Sequence, residues 1–155
     1  MMNAIAEQVE QDPTYAGIVH AQRAEPEATG ADAISLAARQ IAETLKLSAI
    51  VCYTSSGTTG LRAARERPQV PIIALSPVVE TARRLSLVWG THCVVTPDAT
   101  DLDDMVDRAC RIAFSEGFCR PGDRIIVTAG VPLRTPGATN MLRIAYIGSD
   151  GLSGI

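Results

Sequence analysis

Two hydrophobic patterns alternate along this chain. Short continuous apolar runs, typical of strands buried on both faces, are separated by stretches whose apolar residues recur every three or four positions, as on amphipathic helices. The apolar runs predict strands at 49–53, 71–75, 92–96, 124–128 and 141–147. The periodic stretches predict helices at 29–46, from 60 to 66, from 76 to 89 and from 100 to 117. Ser76 is predicted to be the N-cap of the third of these helices, because Pro77 follows it at the first helical position.

The alternation of strands and helices predicts an α/β fold. We expect a three-layer α/β/α sandwich around a five-stranded, mostly parallel sheet. The last strand, 141–147, follows the fourth through a loop rich in glycine and proline, without an intervening helix. Because a parallel crossover needs a longer connection, this last strand is expected to be antiparallel.

The length of 155 residues favours one compact domain. Residues 1–148 are expected to form it, with a helix and an extended lead-in over 1–28 and the α/β core over 29–148. Residues 149–155 are expected to be a frayed tail.

Within the lead-in, Ile5 and Val9 lie four positions apart and predict a helix over 1–10, which Asp12-Pro13 ends. Residues 11–28 carry two prolines and little periodicity, so they are expected to be an extended surface segment.

Composition narrows the classes of partner. The hydrophobic share is 46% with only 4% aromatic residues, so the core is expected to be aliphatic, and the net charge of −3 gives no electrostatic reason to expect nucleic acid or an anionic membrane. No apolar run approaches the length of a bilayer span, and the N-terminus lacks the basic region of a signal peptide. We therefore expect a cytoplasmic protein with reduced thiols at Cys52, Cys93, Cys110 and Cys119.

The strand at 49–53 ends abruptly in hydroxyl groups and a glycine. A helix start follows, and its free N–H groups and positive dipole end suit a phosphate. Gly57 allows a positive φ, and the loop side chains add hydroxyl donors. Two interpretations stay open from the chemistry alone: a phosphate-binding loop, or an ordinary polar turn with helix capping.

The other motifs in the sequence give weaker evidence of a functional site. Neither GxxxxGK[ST] nor GxGxxG follows a strand, so no P-loop and no dinucleotide fingerprint is present. A cluster of acidic residues stands where a helix begins, where the dipole favours carboxylates, so a structural role is favoured over a metal site. The cluster comprises Asp101, Asp103, Asp104 and Asp107.

Three isolated basic residues are also interpreted as structural. Lys46 ends a helix, where its charge complements the dipole, and neither His20 nor His92 has an evident Ser or Cys partner. In contrast, the segment 128–130 ends the fourth strand and is expected at the same sheet edge as the loop after the first strand, so both loops would converge on one ligand.

The chain resembles the C-terminal domain of pyruvate kinases over residues 2–148. The resemblance rests on AIVCYTSSGTTGLRAARERPQVPIIALSP, ETARRLSLVWG, PGDRIIVTAG and GATNMLRIAYIG, together with the start MMNAIAEQVEQDPTY and the helix ADAISLAARQIAETL. The motifs T-x-S-G-x-T, RP-x-x-PI-x-A, GD-x-I-x-V-T-A-G and G-x-TN occur in the family's order at compatible spacings.

The resemblance implies a role in a larger enzyme. Pyruvate kinases transfer phosphate from phosphoenolpyruvate to ADP on a (β/α)8 barrel that uses magnesium and potassium. The catalytic lysine, the phosphate-binding arginine and the metal carboxylates belong to that barrel and have no counterpart in this sequence. We therefore expect a fragment or a separately encoded domain that is not catalytic by itself and needs no cofactor of its own.

In this family the domain is regulatory and contributes a subunit interface of a tetramer. Its T-x-S-G-x-[ST] loop holds a phosphate of a sugar-phosphate effector in many members. The resemblance thus nominates the effector-binding residues Thr54, Ser55, Ser56, Gly57, Thr58 and Thr59.

Three departures from the bisphosphate-activated eukaryotic members bear on the ligand. Ser55 replaces a lysine, an ungapped count places Met105 where those members have an arginine, and Gly130-Val131-Pro132 replaces a tryptophan-containing loop. Fewer cations favour a monophosphate such as glucose 6-phosphate, ribose 5-phosphate or AMP. Arg134 is the candidate for a compensating charge, its alternative being a solvated loop arginine.

Three functions are compatible with these features of the sequence. The first is an effector-binding and oligomerising domain that works with its own catalytic barrel in a homo-oligomer. The second is a stand-alone structural or oligomerisation module with no ligand. The third is a small phosphate-handling enzyme, which would need a base and an electrophile near the loop.

Overall fold

The computed structural model describes residues 1–23, 25–133 and 139–154. Within these ranges the chain forms six helices and six strands. The helices are α1 (Met2–Glu10), α2 (Pro13–Ala21), α3 (Gly30–Leu45), α4 (Thr58–Arg65), α5 (Val79–Leu85) and α6 (Leu102–Ser115). The strands are β1 (Ala49–Tyr53), β2 (Ile72–Ser76), β3 (Thr91–Val95), β4 (Arg124–Ala129), β5 (Met141–Ile147) and β6 (Ser153–Gly154).

The described strands form one sheet in the order β3-β2-β1-β4-β5-β6. Strands β3, β2, β1 and β4 are parallel, and β5 pairs antiparallel with β4. The predicted α/β class, the mostly parallel sheet and the antiparallel strand 141–147 are confirmed. The connection from β4 to β5 contains too few residues for a crossover helix, so the chain reverses direction.

The sheet has one strand more than predicted. Residues 149–155 were expected to fray, but Ser153 and Gly154 pair with β5. Gly151 turns the chain at φ 79, close to Phe114, and the backbone N–H and the hydroxyl of Ser153 both donate to Asp107 on α6. The contacts of Ser153 with Asp107 join residues 46 positions apart, which a local pattern does not reveal.

Helices cover both faces of the sheet. On one face, α3 and α4 place alanines against the β-branched residues of β1, β2 and β4: Ala38, Ala42, Ala63 and Ala64 against Ile50, Ile72 and Ile126. On the other face, α6 packs Met105, Val106, Ala109 and Ala113 against Val51, Ile73, Ile125 and Val127. Small helix residues bring the layers close together, and so an aliphatic core with few aromatic residues can be well packed.

The lead-in is helical where an extended segment was predicted. Asp12 accepts a hydrogen bond from Thr14 N–H, and Pro13 occupies the first helical position, so the same dipeptide that ends α1 also begins α2. The prediction for 11–28 was wrong because Asp-Pro was interpreted only as a stop signal. Neither α1 nor α2 has a buried residue.

Helix α5 is shorter than predicted. Ser76 was expected to be its N-cap, but it is the last residue of β2, paired with Val95 and fully buried. Its hydroxyl accepts from Val78 N–H at 3.2 Å, and the helix begins only at Val79. Ser76 is the fifth residue of β2 that pairs with β3, so β2 extends to the position where the sequence predicts the helix cap.

A buried carboxylate connects α3 to α4. The side chain of Asp32 is inaccessible to solvent; it accepts from Arg62 Nε at 2.9 Å, from Arg65, and from the backbone N–H of Glu27 at 2.8 Å. A buried charge is tolerated only when it is paired in this way. The Glu27 N–H and the two arginines hold the pKa of Asp32 below its ordinary value of 3.8, and hydrogen bonds to the charged form are the cause.

This arrangement predicts the effect of pH on an Asp32→Asn variant. Because the folded-state pKa is depressed, the carboxylate stabilises the fold above about pH 4 and loses that effect as pH falls through its folded-state pKa. In thermal unfolding, the variant is expected to be less stable than the wild type near neutral pH, with the difference shrinking towards pH 3.

Asp103→Asn is the matched control, since that side chain is 89% exposed. Its unfolding temperature is expected to stay close to that of the wild type from near neutral pH to pH 3. A difference between Asp32→Asn and wild type that is constant across this pH range would contradict the role of the carboxylate.

Candidate functional site

The order of the strands creates a crevice at the carboxyl ends of β1 and β4. From β1 the chain proceeds through β2 to β3 on one side, and then crosses over so that β4 lies on the other side of β1. The register pairs Cys52 with Thr128, so the loops that follow these strands begin side by side. Ligands of open α/β sheets bind at such switch points. The loop 54–59 is therefore at the position where the fold favours a ligand.

The loop is built around Gly57, whose φ is 93°. The hydroxyl of Thr54, which is buried, accepts from Gly57 N–H at 2.8 Å and closes the turn. Ser56 Oγ lies 2.9 Å from Thr58 Oγ1 at the first residue of α4. The turn thus brings the chain directly from the end of β1 into the helix.

The N-terminus of α4 has free donors. Leu61 N–H makes the first intrahelical bond, to Gly57 O, and no acceptor among the described residues bonds the N–H groups of Thr59 and Gly60. The hydroxyls of Ser56 and Thr58 at this end are exposed. Together with the helix dipole, these groups form an environment that favours an anion.

The hydroxyl-bearing residues predicted for the loop differ in their exposure to solvent. Ser55, Ser56 and Thr58 are exposed, whereas Thr54 and Thr59 are buried. Thr59 Oγ1 lies 2.7 Å from Thr139 Oγ1, in the connection between β4 and β5. This contact joins the two connections across 80 residues and uses the Thr59 hydroxyl for structure, while their convergence on one ligand stays a prediction.

Arg134, the candidate for a compensating charge, lies outside the described residues. The described ends of its loop are held by Asn140, whose side chain bonds both Val131 N–H at 2.8 Å and Val131 O at 2.6 Å.

Helix α5 contributes contacts that sequence reasoning missed. Thr81 donates its hydroxyl hydrogen to Ser55 O at 2.8 Å, and Arg84 donates from Nη2 to Ser56 O at 3.1 Å. Leu85 packs against the positions of Gly57 and Gly60. The run ETARRL has no motif that points to the loop, because only the packing of α5 beside α4 brings these residues together.

The structural roles predicted for the acidic cluster and for His92 agree with the structure. Asp101 caps α6 by accepting from Asp104 N–H, and Asp104 itself pairs with Arg108 at 2.8 Å. His92 pairs with Glu116 at 2.8 Å on an exposed surface. Among the described residues, no three His, Cys, Asp or Glu side chains are grouped so as to hold a metal ion.

The cysteines and Met105 contribute no reactive group at the loop. Burial raises the pKa of the Cys52 thiol to about 11, and Cys110 and Cys119 are also buried, whereas Cys93 is half-buried. Met105 is fully buried against the sheet, so the position assigned to a family arginine faces the core.

These features define a class of protein: a doubly wound α/β domain with a hydroxyl-rich loop and a helix N-terminus at its switch point. A family model described as pyruvate kinase, alpha/beta domain matches residues 32–145, which is most of the chain. The chain therefore belongs to the pyruvate kinase α/β domain family, and the resemblance found in the sequence is confirmed.

Its relatives are pyruvate kinases of bacteria. The chain is 56% identical over 146 residues to that of Methylorubrum extorquens and 38% identical over 148 residues to one from Agrobacterium vitis. These matches cover 94% and 96% of this chain but only 30% and 31% of the relatives. The chain is also 36% identical over 146 residues to a pyruvate kinase of Geobacillus stearothermophilus, and this match covers 25% of that relative. The chain thus spans less than a third of the length of these relatives.

No helix within the described ranges combines the length and apolar character needed to cross a membrane.

The geometry of the loop predicts a cost for Gly57→Ala. The positive φ is strained for alanine, and a Cβ would lie 3.3 Å from Thr81 Cγ2. Denaturant unfolding is expected to show a loss of about 1–3 kcal/mol. Gly30→Ala is the control, because a Cβ there meets nothing within 4 Å; its expected change is within about 0.5 kcal/mol. Equal effects of the two substitutions would contradict the strained role of Gly57.

Proposed function

We propose that the loop 54–59 binds the phosphate group of a small effector, and that this chain is the regulatory domain of a pyruvate kinase. The observation that supports this most directly is the N-terminus of α4, where the N–H groups of Thr59 and Gly60 have no acceptor among the described residues. The exposed Ser56 and Thr58 hydroxyls stand beside them. Charge-assisted bonds from such donors are among the stronger ones in proteins.

The charge near the loop favours one phosphate over two. Ser55 replaces the lysine of the bisphosphate-activated members, and Met105 is buried in the core instead of offering an arginine. A phosphate monoester such as glucose 6-phosphate, ribose 5-phosphate or AMP is therefore the proposed class of ligand. Arg134 stays a proposed compensating cation.

The enzymatic reaction would belong to the complete protein. There the barrel would transfer phosphate from phosphoenolpyruvate to ADP with magnesium and potassium, and an effector would act by binding the active assembly more tightly than the inactive one. The described residues of this chain do not provide a carboxylate set that fits either metal, so no step of the reaction is assigned to them.

The apolar face of the N-terminal helices is the proposed contact with the catalytic barrel. Ile5 and Val9 on α1 and Ile18 on α2 are each at least half exposed, and no residue of either helix is buried. A contiguous exposed apolar surface of this kind marks an interaction site. The barrel is the favoured partner because the relatives are more than three times as long as their match to this chain.

Isothermal titration calorimetry of the chain tests effector binding. Glucose 6-phosphate, ribose 5-phosphate or AMP is expected to bind, and the Ser56→Ala/Thr58→Ala variant to bind about tenfold more weakly or worse, because two hydroxyl bonds to a charged group are lost. Thr59 is left intact because its contact with Thr139 is structural.

Ser115→Ala, on α6 across the sheet, is the control and is expected to bind as the wild type does. A folded wild type that binds none of these compounds would contradict the effector role and favour the ligand-free module. Turnover of a phosphate ester by the isolated chain would favour the phosphate-handling enzyme instead.

Co-purification tests the contact with the barrel. The barrel segment of the Methylorubrum extorquens relative, carrying an affinity tag, is expected to retain this chain, and Ile5→Glu to reduce the retained amount about tenfold or more, since a charge placed in an apolar interface is poorly solvated.

Asn3→Glu is the matched control, because it adds the same charge on the opposite side of α1. Equal retention of Ile5→Glu and Asn3→Glu, or no retention of the wild type, would contradict this use of the surface.

A further inference from the structure

The polar contacts of the N-terminal helices meet at one residue of the core. Among the described residues, two hydrogen bonds join 1–23 to the rest of the chain. Arg23, which follows α2, donates from Nη2 to the carbonyl oxygen of Arg67 at 3.3 Å. Trp89 donates from Nε1 to Glu10 at 3.0 Å, and the guanidinium carbon of Arg67 lies 4.5 Å from the centroid of the Trp89 ring. Both connections therefore involve Arg67.

The backbone of Arg67 has a conformation that favours a different residue. Arg67 follows the C-cap of α4, Glu66, and its φ of 47° lies in the left-handed region. This position usually holds glycine, because a Cβ is strained there. Pro68 comes next and cannot continue the helix. Because glycine would end the helix with less strain, what the arginine adds at this position is its side chain, which reaches Trp89.

The indole ring of Trp89 connects two opposite charges. A guanidinium this close to the face of an indole is attracted by the electrons of the ring. The N–H at the edge of the same ring donates to the carboxylate of Glu10, the last residue of α1. Trp89 itself lies between α5 and β3. The ring thus links the end of α1 to the residue that ends α4.

Arg23 makes the second connection, and it is joined to a network of charged side chains. Its Nη2 also lies 3.8 Å from Glu43 Oε1 on α3. Glu43 in turn accepts from Arg39 Nη1 at 2.8 Å, and Arg39 Nε lies 3.5 Å from Glu66 Oε2. The side chains of Arg39 and Glu66 are almost fully buried, so solvent screens this pair less than it screens a surface pair. The end of α2 is therefore tied to charges that are fixed in α3 and α4.

These contacts matter because both N-terminal helices are short and lie at the surface. Each has nine residues, none of which is buried. Helices of this length are marginal in water when nothing packs against them. The orientation of the apolar surface formed by Ile5, Val9 and Ile18 thus depends on the contacts made at Arg67.

We propose that Arg67 is the positioning residue that docks α1 and α2 on the α/β core. Its carbonyl oxygen binds Arg23, and its guanidinium holds the Trp89 ring where it bonds Glu10. The docking fixes the direction in which the apolar surface of the two helices faces. The docking stands on contacts within this chain, whereas its consequence for the catalytic barrel rests on the proposed barrel contact.

Hydrogen–deuterium exchange of the chain, measured by mass spectrometry, tests the docking. Arg67→Gly keeps the carbonyl oxygen, suits the positive φ and removes the guanidinium. The amides of α1 and α2 are expected to exchange about fivefold faster or more, because short helices unfold when the cation–π contact is lost. The amides of β1 and β4 are expected to keep their wild-type rates.

The thermal stability of the same variant separates positioning from a general loss of stability. The unfolding temperature of Arg67→Gly is expected to stay within about 2 °C of the wild type, because the strain that glycine relieves offsets the entropy that it adds to the unfolded chain. Faster exchange of the core strands together with a clearly lower unfolding temperature would contradict a role confined to the helices.

Two further variants serve as controls. Arg67→Lys keeps a cation beside Trp89 and is expected to have exchange rates closer to the wild type than those of Arg67→Gly. Arg111→Gln removes an exposed charge from α6, on the other face of the sheet, and is expected to leave exchange of both helices unchanged. Wild-type helices that exchange as fast as free peptides would overturn the docking, and so would unchanged exchange in Arg67→Gly.

Retention on the tagged barrel segment separates this inference from the proposed function. Arg67→Gly is expected to be retained about fivefold less than the wild type, because only the docked fraction presents the surface correctly. If the barrel retains neither protein, the proposed barrel contact fails, and the exchange rates still decide the docking. Equal retention of the two proteins, together with faster exchange of the helices in Arg67→Gly, would refute the consequence for the barrel.

Discussion

Strand β1 is buried at positions 49–52 and is bonded to β2 on one edge and to β4 on the other. A strand in this position must be covered by helices on both faces, and its parallel neighbours must be reached through crossovers. The chain meets this requirement by leaving β1 in one direction and returning on its other side with β4. The crevice that carries the loop 54–59 is a direct consequence of that path.

The loop depends on helices that approach it closely. Gly57 and Gly60 let Leu85 pack against α4, and this contact places Thr81 and Arg84 at the loop's carbonyl oxygens. At the other end of α4, Arg62 and Arg65 are anchored by the buried Asp32. The helix that presents its N-terminus at the crevice is therefore held at both ends by side chains from neighbouring helices.

The N-terminal helices α1 and α2 contribute no buried residue to the core. Their described contacts with the α/β core include Trp89 Nε1 to Glu10 at 3.0 Å, and residues of both helices expose large apolar side chains. Polar contacts at the surface contribute little to stability, and so these helices gain most from a partner that covers their apolar face.

The sequence by itself determined the elements whose signals are local. The continuous run of β1 and the spacing of apolar residues in α3 and α6 specified their positions, because burial on two faces or on one stripe leaves a direct pattern in the chain. The hydroxyl-rich loop and its convergence with the loop after β4 also followed, since parallel strands end at the same edge.

Only the tertiary structure decided the features that depend on distant partners. Ser76 is a capping residue by type, yet its pairing with Val95 makes it part of β2. Asp12-Pro13 ends one helix and begins another, and Ser153 is ordered by Asp107. Arg84 carries no local signal at all, because an exposed arginine on a short helix acquires a role only when packing brings it within 3.1 Å of the loop.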